Sequence, residues 1–223
     1  MTPLVTVVGL AIALAGFEVV GRLRDRLDRP DGGLEPHLWK WLLPGAVIGY
    51  AVAVEGKELA SIGWRVGPPA PFVGWVVGGL VVMLGANVVL EPLRTRLGTG
   101  EDLASGMAEF TDFSVLERVF VASTAGVTEE VPYRGYTIER VAGLTGSPLL
   151  GAGISLVAFL TAHVGDTWRP RAVLRMAQPA VILLALYLWT RSLPVVILVH
   201  AGNDVVGLLL AERVVDNADG RSP

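Results

Sequence analysis

Long apolar runs, separated by short polar connections, dominate the chain. Seven of them are candidate membrane-spanning helices, because most approach the roughly 17–25 residues that an α-helix needs to cross a bilayer. They are Pro3–Val20, Leu38–Val54, Pro71–Leu90, Val115–Val141, Leu149–His163, Met176–Thr190 and Leu193–Leu210. Lys40 and Pro44 weaken the second run, and the sixth is short and contains Pro179. The pattern predicts an all-α, polytopic membrane helical bundle of about seven to eight transmembrane helices, one of which is allowed to be re-entrant.

Composition supports the membrane assignment. Of the 223 residues, 52% are hydrophobic and 17% are charged, whereas a soluble domain carries about 25% charged residues. No connection is long enough to separate two domains, so we predict one membrane-embedded domain over residues 1–212, with its motif core at 114–210. Residues 213–223 form a polar tail that we expect to be disordered. Cysteine is absent, which excludes disulfides, thiol catalysis and cysteine metal ligands.

The basic residues predict an orientation in the membrane. The first connection carries Arg22, Arg24, Arg26 and Arg29. If it lies in the cytoplasm and the spans alternate, 13 of the 18 basic residues fall on the cytoplasmic side and 5 on the other. Because cytoplasmic loops are enriched in Lys and Arg, we expect a multi-pass cell-membrane protein with its N-terminus outside and its C-terminus in the cytoplasm.

Several ionisable residues interrupt these apolar runs. An ionisable group at membrane depth is costly, by roughly 2.5–3.5 kcal/mol on insertion scales. Glu129 and Glu130 interrupt the fourth span, His163 closes the fifth, and His200 interrupts the seventh. Four such groups on three spans indicate one polar site where the spans meet.

The fourth span contains the sequence Glu-Glu-Val-Pro-Tyr-Arg, residues 129–134. Glu130 and Arg134 are four residues apart, so they share a helical face and can pair. Glu129 points about 100° away from Glu130 and stays unpaired, which suits a carboxyl group for acid–base work. Pro132 loosens the helix just after the pair. The alternative is a short charged loop between two half-spans.

The histidine segments are weaker signals when taken alone. Phe159 and His163 are one turn apart at the end of the fifth span, where a lone histidine is often an interfacial or hydrogen-bonded group. His200 and Asp204 share one face of the seventh span. A histidine there is equally well explained as a polar contact between helices.

Taken together, the three segments resemble the CPBP family, the CAAX-processing and bacteriocin-processing intramembrane proteases, also called the ABI family. The family pattern is Glu-Glu-x-x-x-Arg, Phe-x-x-x-His and His-x-x-x-Asn/Asp on successive helices. Here it reads Glu129-Glu130-x-x-x-Arg134, Phe159-x-x-x-His163 and His200-x-x-x-Asp204, over about Ser114–Leu210. The segment 59–65 also resembles a short stretch that many members carry upstream.

The resemblance implies a hydrolase, an endopeptidase that cleaves a membrane-associated or prenylated peptide. Glu129 would be the general base, His163 would hold and activate the attacking water, and His200 with Asp204 would bind the developing oxyanion. Glu130 and Arg134 would support them. The last family position is often Asn, so Asn203 is an alternative oxyanion donor to Asp204.

Two questions stay open at the level of sequence. Glu129, His163 and His200 match a catalytic zinc set, as in a metalloprotease. They also suit a metal-free glutamate peptidase, which we slightly favour because Glu129 needs no ion to serve as base, so the cofactor is none or zinc. The alternative functions are a non-catalytic immunity or peptide-binding protein and a small proton-coupled transporter, although internal repeats typical of transporters are absent. The expected partners are the lipid bilayer and a membrane-associated peptide or protein, and not nucleic acid.

Overall fold

Helices follow one another along nearly all of the described chain. The structure is a computed structural model, and it describes residues 3–97, 100–163 and 170–218. All regular structure within those ranges is helical. The α-helices are α1 (Pro3–Arg26), α2 (Glu35–Lys40), α3 (Leu42–Gly49), α4 (Pro69–Arg96), α5 (Gly100–Met107), α6 (Val115–Glu130), α7 (Ile138–Thr145), α8 (Pro148–Ala162), α9 (Pro170–Thr190), α10 (Leu193–Leu209) and α11 (Ala211–Ala218). Each of the seven predicted spans coincides with one or more of these helices, which confirms the all-α class.

Within the described residues, two helices meet the length and hydropathy expected of a membrane span. They are α1 and α4, while α8 and α10 are apolar but shorter. The surface of α4 is strongly apolar, and Val88 and Val89 are about three-quarters exposed. Exposed apolar surface of this extent is typical of a face that contacts lipid or a partner.

The centre of the bundle is formed by α6 and α10, which pack along much of their lengths. Around them, α4 and α9 lie against α10, and α8 lies against α7 and α9. The main core contains Ile62, Val131, Tyr136, Leu193 and Val196, all fully buried. The polar residues singled out in the fourth and seventh spans therefore lie on the two central helices.

The helix of the fourth span changes its geometry at the predicted point. Ser114 caps α6, and Glu117 completes the capping box. After Glu130 a π-helical segment, Val131–Thr137, connects α6 to α7. Pro132 has no N–H and cannot donate to the carbonyl one turn earlier, and π-helical turns often occur at functional sites. The wider turn follows immediately after the Glu-Glu pair.

The upstream segment packs directly on this π-helical segment. A 3₁₀ turn covers Leu59–Ile62, and Gly63 then adopts a left-handed conformation with φ of 78°. A Cβ at Gly135 would lie 2.8 Å from the Ile62 carbonyl oxygen, so only glycine permits this approach. The segment 59–65 thus packs against the π-helical segment through the close contact between Ile62 and Gly135.

Ion pairs connect helix ends and loops that the alternating topology puts on the same side. At one end, Glu55 pairs with Arg140 at 2.5 Å and Glu139 with Arg191 at 2.8 Å. At the other end, two pairs link α6 to α11 and α4 to α9: Arg118–Glu212 at 2.7 Å and Arg175–Glu91 at 3.0 Å. The grouping of loops agrees with the alternation of the seven runs.

The expectation of a disordered tail was wrong for most of its length. Helix α11 extends to Ala218, and Ala211 at its start is fully buried. Its polar and apolar residues segregate onto two faces, and it packs against α5, so tertiary contact stabilises a helix that composition alone does not indicate. Residues 219–223 of the predicted tail and Arg169 of the charge count lie outside the described residues.

Candidate active site

Glu129 lies between the two histidines that the sequence singled out. One of its carboxylate oxygens, Oε2, is 3.8 Å from His163 Nε2 and 3.9 Å from His200 Nε2. These separations are too long for direct hydrogen bonds, but a bridging water fits polar groups at such distances. The side chain is 12% exposed, so the carboxylate is shielded without being sealed from water.

Glu130, the next residue along the helix, points into the interior of the protein. It is completely buried, and its Oε1 lies 3.2 Å from Arg134, as the i,i+4 spacing predicts. The same oxygen accepts a hydrogen bond of 2.8 Å from His200 Nδ1, a contact that the sequence does not reveal. Glu130 therefore joins the fourth span to the seventh and fixes the orientation of the His200 ring.

Arg134 contacts the site through the face of its guanidinium group as well as through its ion pair with Glu130. Its guanidinium lies 4.2 Å from the centre of the Phe159 ring, a cation–π contact. Phe159 in turn packs beside His163 in a tilted arrangement, with ring centres 4.5 Å apart. Phe159 thus lies between Arg134 and His163 and contacts both.

His163 is held at the end of α8 in one tautomer. Its Nδ1 lies 2.7 Å from the carbonyl oxygen of Phe159. Because a carbonyl only accepts, the proton of a neutral imidazole lies on Nδ1. The Nε2 atom then presents a lone pair towards Glu129.

Two further polar residues of α10 complete the neighbourhood of His200. Asp204 Oδ2 lies 3.3 Å from His200 Nε2, one turn along the helix. Asn203 donates to the other oxygen of Asp204 at 3.0 Å and accepts from Asn87 of α4 at 2.8 Å. In this geometry Asp204 accepts a hydrogen bond from Asn203 and faces His200, the arrangement of a carboxylate that orients an imidazole.

Sequence reasoning did not single out Asn87. The only signal was an amide side chain within the apolar run Pro71–Leu90, and such residues often hydrogen-bond across helices. Asn87 Oδ1 also accepts a 3.4 Å bond from Arg94. The third span thereby contributes to a site that was assigned to the fourth, fifth and seventh spans.

Two cavities meet at Glu129 and His163. The first, of about 120 Å³, extends between α4, α9 and α10 and is lined by His200 and Asp204 together with apolar residues that include Met83, Met176 and Leu183. The second, of about 280 Å³, extends towards α1 and α2. Glu129 is therefore reachable from both cavities.

The three predicted metal ligands do not form a compact ligand set. Zinc bonds of about 2.0–2.2 Å in a tetrahedral site place donor atoms roughly 3.4 Å apart, whereas Glu129 Oε2 lies 3.8 and 3.9 Å from the two Nε2 atoms. Within residues 3–97, 100–163 and 170–218, no group of three or more His, Asp or Glu side chains has the geometry to hold a metal ion.

The fold and site define a helical bundle of membrane type with a carboxylate–histidine centre at its core. Residues 111–206 match the family described as Rce1-like, type II CAAX prenyl endopeptidase. The matched stretch is less than half of the chain and contains all the motif residues from Glu129 to Asp204. Over that stretch the chain is similar to the CAAX-processing protease family that its motifs resemble. Neither the curated proteins nor the solved structures gave a match.

Proposed function

We propose that the protein is an intramembrane endopeptidase that cleaves a membrane-associated or prenylated peptide with a water activated by Glu129. The observation that carries the proposal is the position of Glu129, whose carboxylate faces two imidazole Nε2 atoms at 3.8 and 3.9 Å where two cavities meet. A carboxylate and an imidazole lone pair around one water are the elements of general-base catalysis. The match of residues 111–206 to the CAAX prenyl endopeptidase family supports the substrate class.

The proposed reaction begins with a water between Glu129 and His163. Glu129 takes one proton from the water while the oxygen of the water forms a bond to the carbonyl carbon of the substrate. The carbonyl oxygen becomes an oxyanion. The carbon–nitrogen bond then breaks, and the proton held by Glu129 passes to the departing amine, so that the site returns to its starting state.

His200 is the proposed donor to the oxyanion. Glu130 accepts from its Nδ1–H at 2.8 Å, and Asp204 faces its Nε2 at 3.3 Å. An imidazole that carries a proton on each nitrogen can donate from Nδ1 to Glu130 and from Nε2 to the oxyanion. Asn203 remains the alternative donor, because its second amide hydrogen makes no hydrogen bond within the described residues. Glu130 and Arg134 act as positioning residues.

We further propose that the seven apolar runs cross the membrane as a single domain, with the N-terminus outside and the C-terminus in the cytoplasm. The ion pairs between loops at each end support the alternation of the runs, and the 13-to-5 distribution of basic residues supports the direction. A reporter that is active only in the cytoplasm, fused after Pro223, should be active. Activity of the opposite reporter alone would reverse the orientation.

The function is tested by incubating the purified protein with a fluorescent peptide that ends in a prenylated CAAX sequence, with and without a chelator. The parent should cleave the peptide, and Glu129→Gln should lower turnover by about 10²–10⁴-fold, the usual contribution of a general base. Glu58→Gln, a change at an exposed glutamate, is the matched control and should retain parent activity. Full turnover by Glu129→Gln would overturn the mechanism, and loss of activity with the chelator, restored by zinc, would establish a metalloprotease.

A further inference from the structure

The second cavity contains a cation that the proposed chemistry does not use. Its lining includes Glu129 and His163 at one end and Arg24 and Lys40 from the first two helices. Lys40 is half-buried and makes no hydrogen bond or ion pair to any described residue. A half-buried ammonium group without a partner is costly, so an anionic ligand would stabilise it.

Arg24 adds positive charge to the same wall but is already engaged. It donates to the Pro30 carbonyl at 2.6 Å and lies 3.3 Å from Asp31 and 3.4 Å from Glu35. These contacts fix the position of the guanidinium, and the two carboxylates partly neutralise its charge. Lys40 is therefore the cation of this wall that has no anionic partner among the described residues.

The two cavities differ in chemistry as well as in position. Among the described residues, the lining of the first includes Asp204 and methionine side chains and no lysine or arginine. The described lining of the second has the two cations Arg24 and Lys40 and the carboxylate of Glu129. An extended peptide passing Glu129 would thus have an apolar, acidic environment on one side of the attacked bond and a cationic environment on the other.

We infer that the second cavity binds the C-terminal carboxylate of the peptide substrate, with Lys40 as its partner. This inference rests on the proposed function. The CAAX sequence is the C-terminal end of a chain, so its free carboxylate lies within a few residues of any bond cleaved there, and each extended residue spans about 3.3–3.6 Å. The same cavity joins Glu129 to Lys40, and the substrate therefore binds with its lipid-bearing side towards the methionine-lined cavity.

The test compares two fluorescent peptides that differ only at their C-terminus, a prenylated CAAX peptide with a free carboxylate and the same peptide amidated. Amidation removes the terminal charge. The parent should prefer the carboxylate peptide by roughly 10- to 100-fold in kcat/KM, the effect of one charge-assisted bond. The preference should lie in KM, because the carboxylate is bound equally before and during reaction, and it should decrease as salt is raised.

Lys40→Gln should abolish this preference by weakening the carboxylate peptide alone, and Lys40→Arg should restore most of it. Lys57 is exposed and is the only other lysine of the chain, so Lys57→Gln is the matched control and should behave as the parent. The amidated peptide also reports folding, because a folded Lys40→Gln should cleave it at the parent rate.

Three outcomes would overturn the inference. If the parent cleaves the two peptides equally, or if Lys40→Gln weakens both peptides alike, the carboxylate site is wrong while the proposed protease stands. If the effect of Lys40→Gln follows the anionic lipid content of the vesicles and not the peptide terminus, the lysine binds a lipid headgroup instead. If the parent cleaves neither peptide, the proposed function fails and the carboxylate site falls with it.

Discussion

Replacing Glu130 by glutamine should separate the structural carboxylate of the pair from Glu129, the proposed catalytic one. The side chain is fully buried, lies 3.2 Å from Arg134 and accepts from His200 at 2.8 Å. Glu130→Gln keeps the shape but removes the charge, and it leaves Arg134, which is 1% exposed, without its counter-ion. Removing one partner of a buried ion pair costs about 3–5 kcal/mol.

At roughly 2–4 °C per kcal/mol for a chain of this size, Glu130→Gln should lower the unfolding temperature by about 6–20 °C. Tryptophan fluorescence in detergent measures the transition. Glu129→Gln is the matched variant, since the Glu129 carboxylate has no contact shorter than 3.8 Å to either site histidine. It should unfold within about 3 °C of the parent while losing turnover.

A double variant checks the physical cause. Glu130→Gln with Arg134→Met removes both charges, and replacing a whole buried pair by apolar groups is often close to neutral. The double variant should therefore be more stable than Glu130→Gln alone. The reasoning is refuted if Glu130→Gln and Glu129→Gln unfold at the same temperature, or if the second substitution only adds to the loss.

Two further predictions concern stability away from the site. Burial, with smaller contributions from the charges of Lys40 and Arg24, lowers the pKa of His37 to about 4 from its usual 6.5. The unfolded chain then binds a proton that the folded chain does not, so the free energy of unfolding should fall by up to about 3 kcal/mol as the pH decreases from 6.5 towards 4. His37→Phe should remove that part of the loss in pH-dependent unfolding. A Cβ at Gly151 would lie 2.7 Å from a backbone oxygen of α7, whereas a Cβ at Gly153 would meet nothing within 4 Å. Gly151→Ala should therefore lower the free energy of unfolding by about 1–3 kcal/mol in thermal unfolding, and an equal effect of Gly153→Ala would contradict this explanation.

Local signals in the sequence were sufficient for the helices and for part of the site. Apolar runs specify helices because every backbone group must be satisfied internally in lipid. The i,i+4 spacing gave the Glu130–Arg134 pair, and Pro132 indicated the irregularity that the structure contains as a π-helical segment. Each of these inferences depends on residues within one or two turns of each other.

The contacts that the sequence could not reveal join residues far apart in the chain. The bond from His200 to Glu130 spans 70 positions, and the bond from Asn87 to Asn203 spans 116. Neither residue type nor spacing determines which helix faces which. The same holds for α11, where burial of Ala211 and the Arg118–Glu212 pair stabilise a segment whose composition alone favours disorder.

Asp204 and Asn203 offer a decisive comparison for the oxyanion donor. In the structure Asp204 accepts from Asn203 at 3.0 Å and faces His200 Nε2 at 3.3 Å, so its expected role is to orient His200. Asp204→Asn should then keep substantial turnover, because the amide has the same shape and keeps an oxygen beside the His200 ring. Asp204→Ala should lose less than His200→Ala, which removes the donor itself and should cost roughly 10²–10³-fold in kcat.

Asn203→Ala distinguishes the two candidates. If His200 is the donor, this variant should lose activity only as far as Asp204 becomes less well held, and Asp204→Ala combined with Asn203→Ala should be no worse than Asp204→Ala alone, since the two residues then act through one path. Single-turnover rates with a prenylated peptide measure each variant. A loss of 10²–10³-fold in Asn203→Ala, with Asp204→Ala milder, would assign the donor to the amide. The His200 imidazole would then be free to hold the attacking water together with Glu129.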